Sequence, residues 1–267
     1  MVLTFIDWNA SDTIFQIGSF SLRWYGLMWG MAILGGYFLA QWAYKIKNYP
    51  TENLSNLVQY IFWGGLIGAR LGQIVFYDLS YYLQHPIEIF MVWKGGLASH
   101  GGALGVMAAT WLYFKNHRDL SFWALFDVIS LCMPLVGGLI RIGNLFNSEL
   151  WGKPTDVPWA FIFRTIDNEP RHPVQIYEAI MLFGILAFLA HLWYHYSQKL
   201  KTGIIAGLFF TLTFGFRFLL EFFKANAETT QLLNLPLLAF GLVLLYLGYT
   251  GRLNSNVENK NNKQQQA

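Results

Sequence analysis

Charge is what this 267-residue chain has least of: 12% of its residues are Asp, Glu, Lys or Arg, against about a quarter in soluble domains. Cysteine is nearly missing as well. Cys132 stands alone, so no disulfide can form within the chain, and its place in an apolar run reads as small packing filler rather than a nucleophile. His100 has no second histidine at i+4 and no His/Glu partner at zinc spacing, so no metal is expected. The absence of a P-loop argues against nucleotide use, and the absence of a Gly-x-Ser-x-Gly elbow against a hydrolase of that type. The 18 basic residues are scattered and the net charge is only +3, so nothing points to nucleic acid. No cofactor is implied. The first twenty residues hold Asp7 and Asp12 and no basic stretch, so no cleavable signal peptide is expected and the first span reads as an uncleaved anchor.

Apolar surface is what abounds. Hydrophobic residues make up 55% of the chain, with 11 Trp, 14 Tyr and 23 Phe, which suits aromatic belts at membrane interfaces. A spanning helix needs about 20 apolar residues. Seven segments read that way: Leu22–Trp42, Leu57–Asp78, Leu97–Phe114, Phe122–Phe146, Val174–Tyr194, Ile204–Glu221 and Leu235–Thr250. The fourth is the most interrupted by Gly and Pro. The expected fold is an all-α polytopic membrane protein with about seven transmembrane helices. Residues 1–251 are expected to form one transmembrane catalytic domain, and 252–267, rich in Asn, Gln and Lys, a disordered cytoplasmic tail.

Loop charges give an orientation. Lys45, Lys47, Lys115, Arg118, Lys199, Lys201, Arg252, Lys260 and Lys263 fall on one side, against Arg23, Lys94, Lys153, Arg164, Arg171 and Lys224 on the other. The positive-inside rule then places the N-terminus outside and the C-terminus in the cytoplasm. Arg70, Arg141 and Arg217 are left within spans, where charge costs a few kcal/mol on insertion scales and calls for a function. A short echo, Gly64-Gly65-Leu66-Ile67 before Arg70 and Gly137-Gly138-Leu139-Ile140 before Arg141, is compatible with a repeat or with chance.

With that orientation the polar groups gather in the outer half. Tyr25 starts span one and His100 span three; Arg141 and Asn144 end span four; Gln175, Tyr177 and Glu178 start span five; Arg217 and Glu221 end span six. Arg141, Asn144 and Ser148 share a helical face. Each arginine has a structural alternative, a buried acid such as Asp127 or Glu149 serving as interhelical partner. That alternative is preferred for Arg70, stands level with function for Arg217 beside Glu221, and yields to function for Arg141, crowded by Asn144, Asn147 and Glu149. His100, between Gly95-Gly96 and Gly101-Gly102, is either structural or catalytic. Arginine forks suit a phosphate, so an anionic phospholipid head group is the natural ligand, its acyl chains among the helices. A lipid transporter would use the same features. An intramembrane protease lacks support, because no Ser/His or paired-Asp arrangement is present.

The run Gly138-Leu139-Ile140-Arg141-Ile142-Gly143-Asn144-Leu145-Phe146-Asn147-Ser148-Glu149-Leu150-Trp151-Gly152 resembles the signature of bacterial prolipoprotein diacylglyceryl transferases. Similar matches run in order along the chain: Arg23-Trp24-Tyr25-Gly26, Gly68-Ala69-Arg70-Leu71-Gly72, His100-Gly101-Gly102, Arg171-His172-Pro173-Val174-Gln175-Ile176-Tyr177-Glu178, and Arg217-Phe218 with Glu221-Phe222-Phe223. The resemblance implies transfer of a diacylglyceryl group from phosphatidylglycerol to the lipobox cysteine of a prolipoprotein signal peptide at the bacterial inner membrane. A thioether forms and glycerol phosphate leaves. It implies Arg141, Arg217 and His100 as catalytic residues, and Arg141, Tyr25, Asn144, Glu149, Gly152 and Arg217 as contacts for phosphatidylglycerol. Thr213 departs from the pattern, standing where the family has a tyrosine one turn before Arg217; a shorter hydroxyl contact is expected there. The long Asn147–Pro173 segment is placed outside, where it could act as a lid.

Overall fold

The structure, a computed structural model, describes residues 5–18, 20–92, 95–117, 120–225 and 231–254, with the side chains of Phe20, Ser99 and His100 not among the groups described. The expected tail from residue 255 onward lies outside the described residues. Two compact units emerge, residues 1–48 with 123–267, and residues 49–122.

Each expected span folds as a helix. In the larger unit, α1 is Trp24–Lys47. In the smaller one, α2 is Leu54–Phe76, a short α3 is Leu79–Gln84, and α4 is Ser99–Asn116. The larger unit continues with α5 Phe122–Phe146, α6 Val174–Tyr196, α7 Ile204–Leu220 extended by a 3₁₀ turn Glu221–Phe223, and α8 Asn234–Tyr249. Three of them, Phe122–Phe146, Val174–Tyr196 and Ile204–Phe223, are long and apolar enough to cross a membrane. Despite its Gly and Pro content, α5 is continuous, with Pro134 buried inside it.

The smaller unit is held by glycine. Gly64, Gly68 and Gly72 recur every fourth residue on α2 and meet Gly101 and Gly105 of α4. A Cβ on Gly72 would stand 2.6 Å from the Gly101 Cα, and one on Gly68 2.5 Å from the Gly101 carbonyl oxygen. Only bare backbones can approach that closely. Among the described residues Arg70, buried on the same helix, has no acid partner of the kind the structural alternative supposed. Its Nε donates to the Ile89 carbonyl at 2.8 Å, one terminal nitrogen donates to the carbonyls of Gly95 (2.7 Å) and Gly96 (3.0 Å), and the other donates to that of Glu88. The connection from α2 to α4 brings several backbone carbonyls together, and a five-donor fork can collect them at once.

In the larger unit, Met28 and Ala32 of α1 pack on Leu139 of α5. Gly207 of α7 lies under Leu245 of α8, and Gly241 of α8 meets the Thr211 backbone. Asp127, offered by the sequence as an arginine partner, does something else. Its carboxylate accepts from the backbone N–H of Gly203 at 2.7 Å and of Ala206 at 2.8 Å, closing the N-terminus of α7, where unsatisfied N–H groups favour negative charge.

The all-α expectation needs one correction. Two small sheets are present. β1 Ile6–Trp8 runs parallel to β4 Phe161–Phe163, and β4 runs antiparallel to β5 Pro170–Arg171. β2 Thr13–Ile17 and β3 Phe20–Arg23 form an antiparallel pair. Phe161 and Phe163 bury one face of β4 against Leu145, Trp8, Trp151 and Ile176. The Asn147–Pro173 segment is therefore folded over the end of α5 rather than irregular throughout. Its exposed rim carries ion pairs, with Arg164 on Asp7 (2.8 Å) and Arg171 on Asp167 (2.6 Å), and each arginine holds its partner carboxyl below the usual range.

Candidate active site

The end of α5 is the starting point. Its helix stops at Phe146, and the next turn carries two non-glycine residues in the left-handed region, Ser148 (φ 52°) and Leu150 (φ 58°). Such backbone is costly for residues with a Cβ and gathers where a site must be held in shape. Between them stands Glu149. Its two oxygens accept from Asn144 Nδ2 at 2.8 Å and Asn147 Nδ2 at 3.1 Å, and its carbonyl accepts from Gln175 Nε2 at 2.6 Å. Asn144 Oδ1 in turn accepts from an Arg141 terminal nitrogen at 3.2 Å. A chain of polar contacts thus runs from Glu149 through Asn144 to Arg141. Glu149 also borders an open hollow of about 590 Å³, which Asp12, Arg23 and Asn147 help to line.

Arg141 ends on a carboxylate, and that carboxylate belongs to Glu178 in the second turn of α6, not to Asp127 or Glu149. Arg141 Nε pairs with Glu178 Oε2. The other oxygen, Oε1, lies 2.8 Å from Lys224 Nζ and 3.8 Å from Arg217 Nε. Glu221, one helical turn beyond Arg217, sits 2.7 Å from Lys224 Nζ but 3.9 Å from the Arg217 guanidinium. Glu178 and Glu221 have side chains only 2% and 1% exposed. Three cations therefore face the two buried acids Glu178 and Glu221, a local surplus of one positive charge, while Glu149, the next acid, is held by Asn144 and Asn147. Buried charge is tolerated when paired in this way, and the surplus suits an anion.

Arg217 is the least committed member. Among the described residues no acceptor lies within hydrogen-bond distance of its guanidinium, and its Nε is buried without such a partner. Thr213, one turn earlier, likewise has a buried hydroxyl with no partner. Unmet buried donors are rare enough to call for an explanation.

Two more of the expected residues join by packing. Tyr25, in the first turn of α1, lays its ring on Gly143, where a Cβ would come within 2.7 Å of Tyr25 Cδ2. Gly152 is trapped between backbones: a Cβ there would lie 2.5 Å from the His172 carbonyl oxygen and 2.8 Å from that of Phe223. Gly152 bridges Lys224 in antiparallel fashion, so this glycine fixes where the lysine enters. His172 stacks edge-on against Phe223, and its Nδ1 is 3.2 Å from the Tyr177 hydroxyl. Burial pushes the His172 imidazole below its ordinary value.

Tyr25, Arg141, Asn144, Glu149, Gly152 and Arg217 thus belong to one unit and to one neighbourhood around Glu178. The His100 side chain lies outside the described residues. Two members had no site role assigned from the sequence: Glu178, seen only as one of the polar groups at the start of span five, is the shared acid, and Lys224 is the third cation. The signals available for them were an acid in the second turn of a span and a lysine three residues past Glu221.

Residues 12–247 match the model of the family described as prolipoprotein diacylglyceryl transferase. The chain belongs to this family. A protein of Tolumonas auensis named phosphatidylglycerol–prolipoprotein diacylglyceryl transferase is 41% identical over 249 residues, covering 90% of this chain and 96% of that protein. A protein of the same name from Chloroherpeton thalassium is 40% identical over 252 residues, covering 91% and 94%. One from Bacteroides fragilis is 37% identical over 266 residues, covering 92% and 96%. In this member of the family the run from Gly138 to Gly152 is the end of α5 plus the strained turn that fixes Glu149.

Proposed function

We infer that this chain is a transferase that moves the diacylglyceryl group of phosphatidylglycerol onto prolipoproteins, the first step of lipoprotein maturation. The observation that carries the residue-level reading is Glu178, shared by Arg141, Arg217 and Lys224 with net positive charge left over. That surplus suits the phosphodiester of the lipid.

In our reading the acceptor is the lipobox cysteine. Its sulfur bonds to the diacylglyceryl carbon as the bond from that carbon to the phosphate oxygen breaks. The electron pair leaves on glycerol phosphate, and the product is a thioether. Arg141 and Arg217 bind the phosphate and take up its growing charge, a contribution strongest where water is excluded. Asn144 and Glu149 hold Arg141, while Tyr25 and Gly152 shape the site. A thiol near pKa 8.5 must lose its proton. His100 either accepts it, as its reference pKa of about 6.5 allows, or orients the lipid. The seven long helices span the inner membrane with the N-terminus outside and the C-terminus in the cytoplasm, and the site faces outward, where exported prolipoproteins arrive. Residues 1–251 act as one catalytic domain in this reading.

The test mixes purified protein, phosphatidylglycerol and a lipobox peptide. Release of glycerol phosphate and a peptide mass gain equal to one diacylglyceryl group are expected. Lipid movement across a vesicle without covalent change would replace this reading with a transporter. Arg141→Lys is expected to lose most transfer, because an ammonium cannot replace the planar fork. Near-normal transfer in that variant would remove the two-pronged clamp.

A further inference from the structure

We propose that Lys224 is a positioning residue that occupies the two buried acids so that Arg217 stays free for the lipid phosphate. The inference rests on the functional reading above.

Lys224 follows the 3₁₀ turn Glu221–Phe223, and its backbone is pinned from both sides. Its N–H donates to the Glu221 carbonyl at 3.1 Å, and the Lys153 N–H donates to the Phe223 carbonyl at 2.8 Å. The ammonium then reaches Glu178 Oε1 at 2.8 Å and Glu221 Oε1 at 2.7 Å at once, with its side chain 13% exposed. A compact ammonium with three donors is well suited to bridge two carboxylates.

The consequence falls on Arg217. The same two oxygens are its nearest acids, yet they lie 3.8 and 3.9 Å away. At that range Coulomb attraction holds the guanidinium nearby without using its hydrogen-bond donors. Lys224 already offsets part of the charge of both acids, so Arg217 gains less by closing on them. Remove the ammonium and the balance reverses. Glu178 and Glu221 become underpaired in a buried setting, and a small rotation of Arg217 would bring it into direct contact with either. The fork that should meet the phosphate would then be spent on the protein.

A merely structural lysine, knitting the 3₁₀ turn to α6, predicts something different. It predicts loss of folded protein, and no benefit from removing an acid along with the lysine. The experiment compares wild type, Lys224→Gln, Lys224→Arg and Lys224→Gln/Glu221→Gln. Each is the full chain in detergent with varied phosphatidylglycerol and a saturating lipobox peptide, with thermal unfolding recorded in parallel. Lys224→Gln is expected to raise KM for the lipid about tenfold or more, the scale of one lost hydrogen bond to a charged group, with kcat changed less. Lys224→Arg keeps KM within about threefold. The double variant returns KM most of the way to wild type, because one of the competing acids is gone. A wild-type KM in Lys224→Gln, or a double variant no better than the single, overturns the inference. If Lys224→Gln fails to fold, the double variant decides: KM within about threefold of wild type supports the inference, and a rise of about tenfold overturns it. Wild type that releases no glycerol phosphate overturns the functional reading itself, whereas active wild type with an indifferent Lys224 overturns this inference alone.

Discussion

Asn144 donates through Nδ2 to Glu149 Oε2 over 2.8 Å, while its own oxygen accepts from Arg141 at 3.2 Å. An amide does both through separate atoms, its nitrogen offering a donor to the acid and its oxygen an acceptor to the cation. Asn144→Asp keeps the shape and removes the donor, placing a second carboxylate against Glu149. Transfer activity is expected to fall by the equivalent of about 2 kcal/mol, the scale of an unmet charged contact. Asn144→Asp/Glu149→Gln moves the donor to the other partner and is expected to recover much of the loss. A single variant at wild-type rate would show that this contact does not hold Arg141 in place.

Gly152 has no room for a methyl group. The oxygens of His172 and Phe223 lie 2.5 and 2.8 Å from where its Cβ would stand, and both are backbone atoms. Gly152→Ala must push two strand-like segments apart, at a cost of about 1–3 kcal/mol for overpacking. Because Lys224 bridges Gly152, transfer is expected to drop together with stability. Thermal unfolding and the transfer assay on the same preparation check this. An unchanged melting temperature would mean that the segments yield freely.

Asp127 caps α7 through Gly203 and Ala206 at 2.7 and 2.8 Å. Asp127→Asn leaves one acceptor and turns an N–H donor toward a backbone N–H. A loss of about 2 kcal/mol of stability is expected, the scale for hydrogen bonds to a charged group. Transfer per folded molecule should hold, since Asp127 lies in the second turn of α5 and Arg141 near the opposite end. Unfolding curves together with active-fraction counting distinguish this from a catalytic defect, which would lower the rate of molecules that remain folded.

The helices were legible because apolar runs of spanning length leave few alternatives. Arg141, Asn144 and Glu149 were legible because one short run holds all three. Much else was not. β1, β4 and β5 are two or three residues long, and β1 pairs with a strand 155 residues further on (Ile6 with Phe161), so no local alternation marks them. Glu178 could be counted as a polar residue at a span entrance, but its partners come from the end of α5, the end of α7 and the turn beyond it. Asp127 looked like a candidate partner for arginine because a buried acid in a span calls for a cation. Its charge is instead met by N–H groups at the start of α7, the first from Gly203, 76 residues later, a pairing that leaves no trace in the sequence around it. Arg70 shows the converse, a buried cation met by backbone carbonyls rather than by an acid.

His172 gives the pH prediction. It lies just before α6, packed by Phe223 and near the Tyr177 hydroxyl, and burial lowers its pKa from the ordinary value. The unfolded chain therefore binds a proton at this site at a higher pH than the folded chain does. Between about pH 6.5, the reference value for histidine, and the lower folded value, unfolding takes up a proton, so stability falls as pH falls through that window. Above it the imidazole is neutral in both states and contributes no slope. His172→Gln removes the titration while keeping a polar side chain, so the drop in melting temperature from pH 7.5 to 5.5 is expected to be smaller than in wild type. Other titrating groups shift both proteins alike, which is why the difference between the two curves is the quantity to read. Parallel curves would show that the His172 imidazole takes up its proton in the folded state as readily as in the unfolded chain.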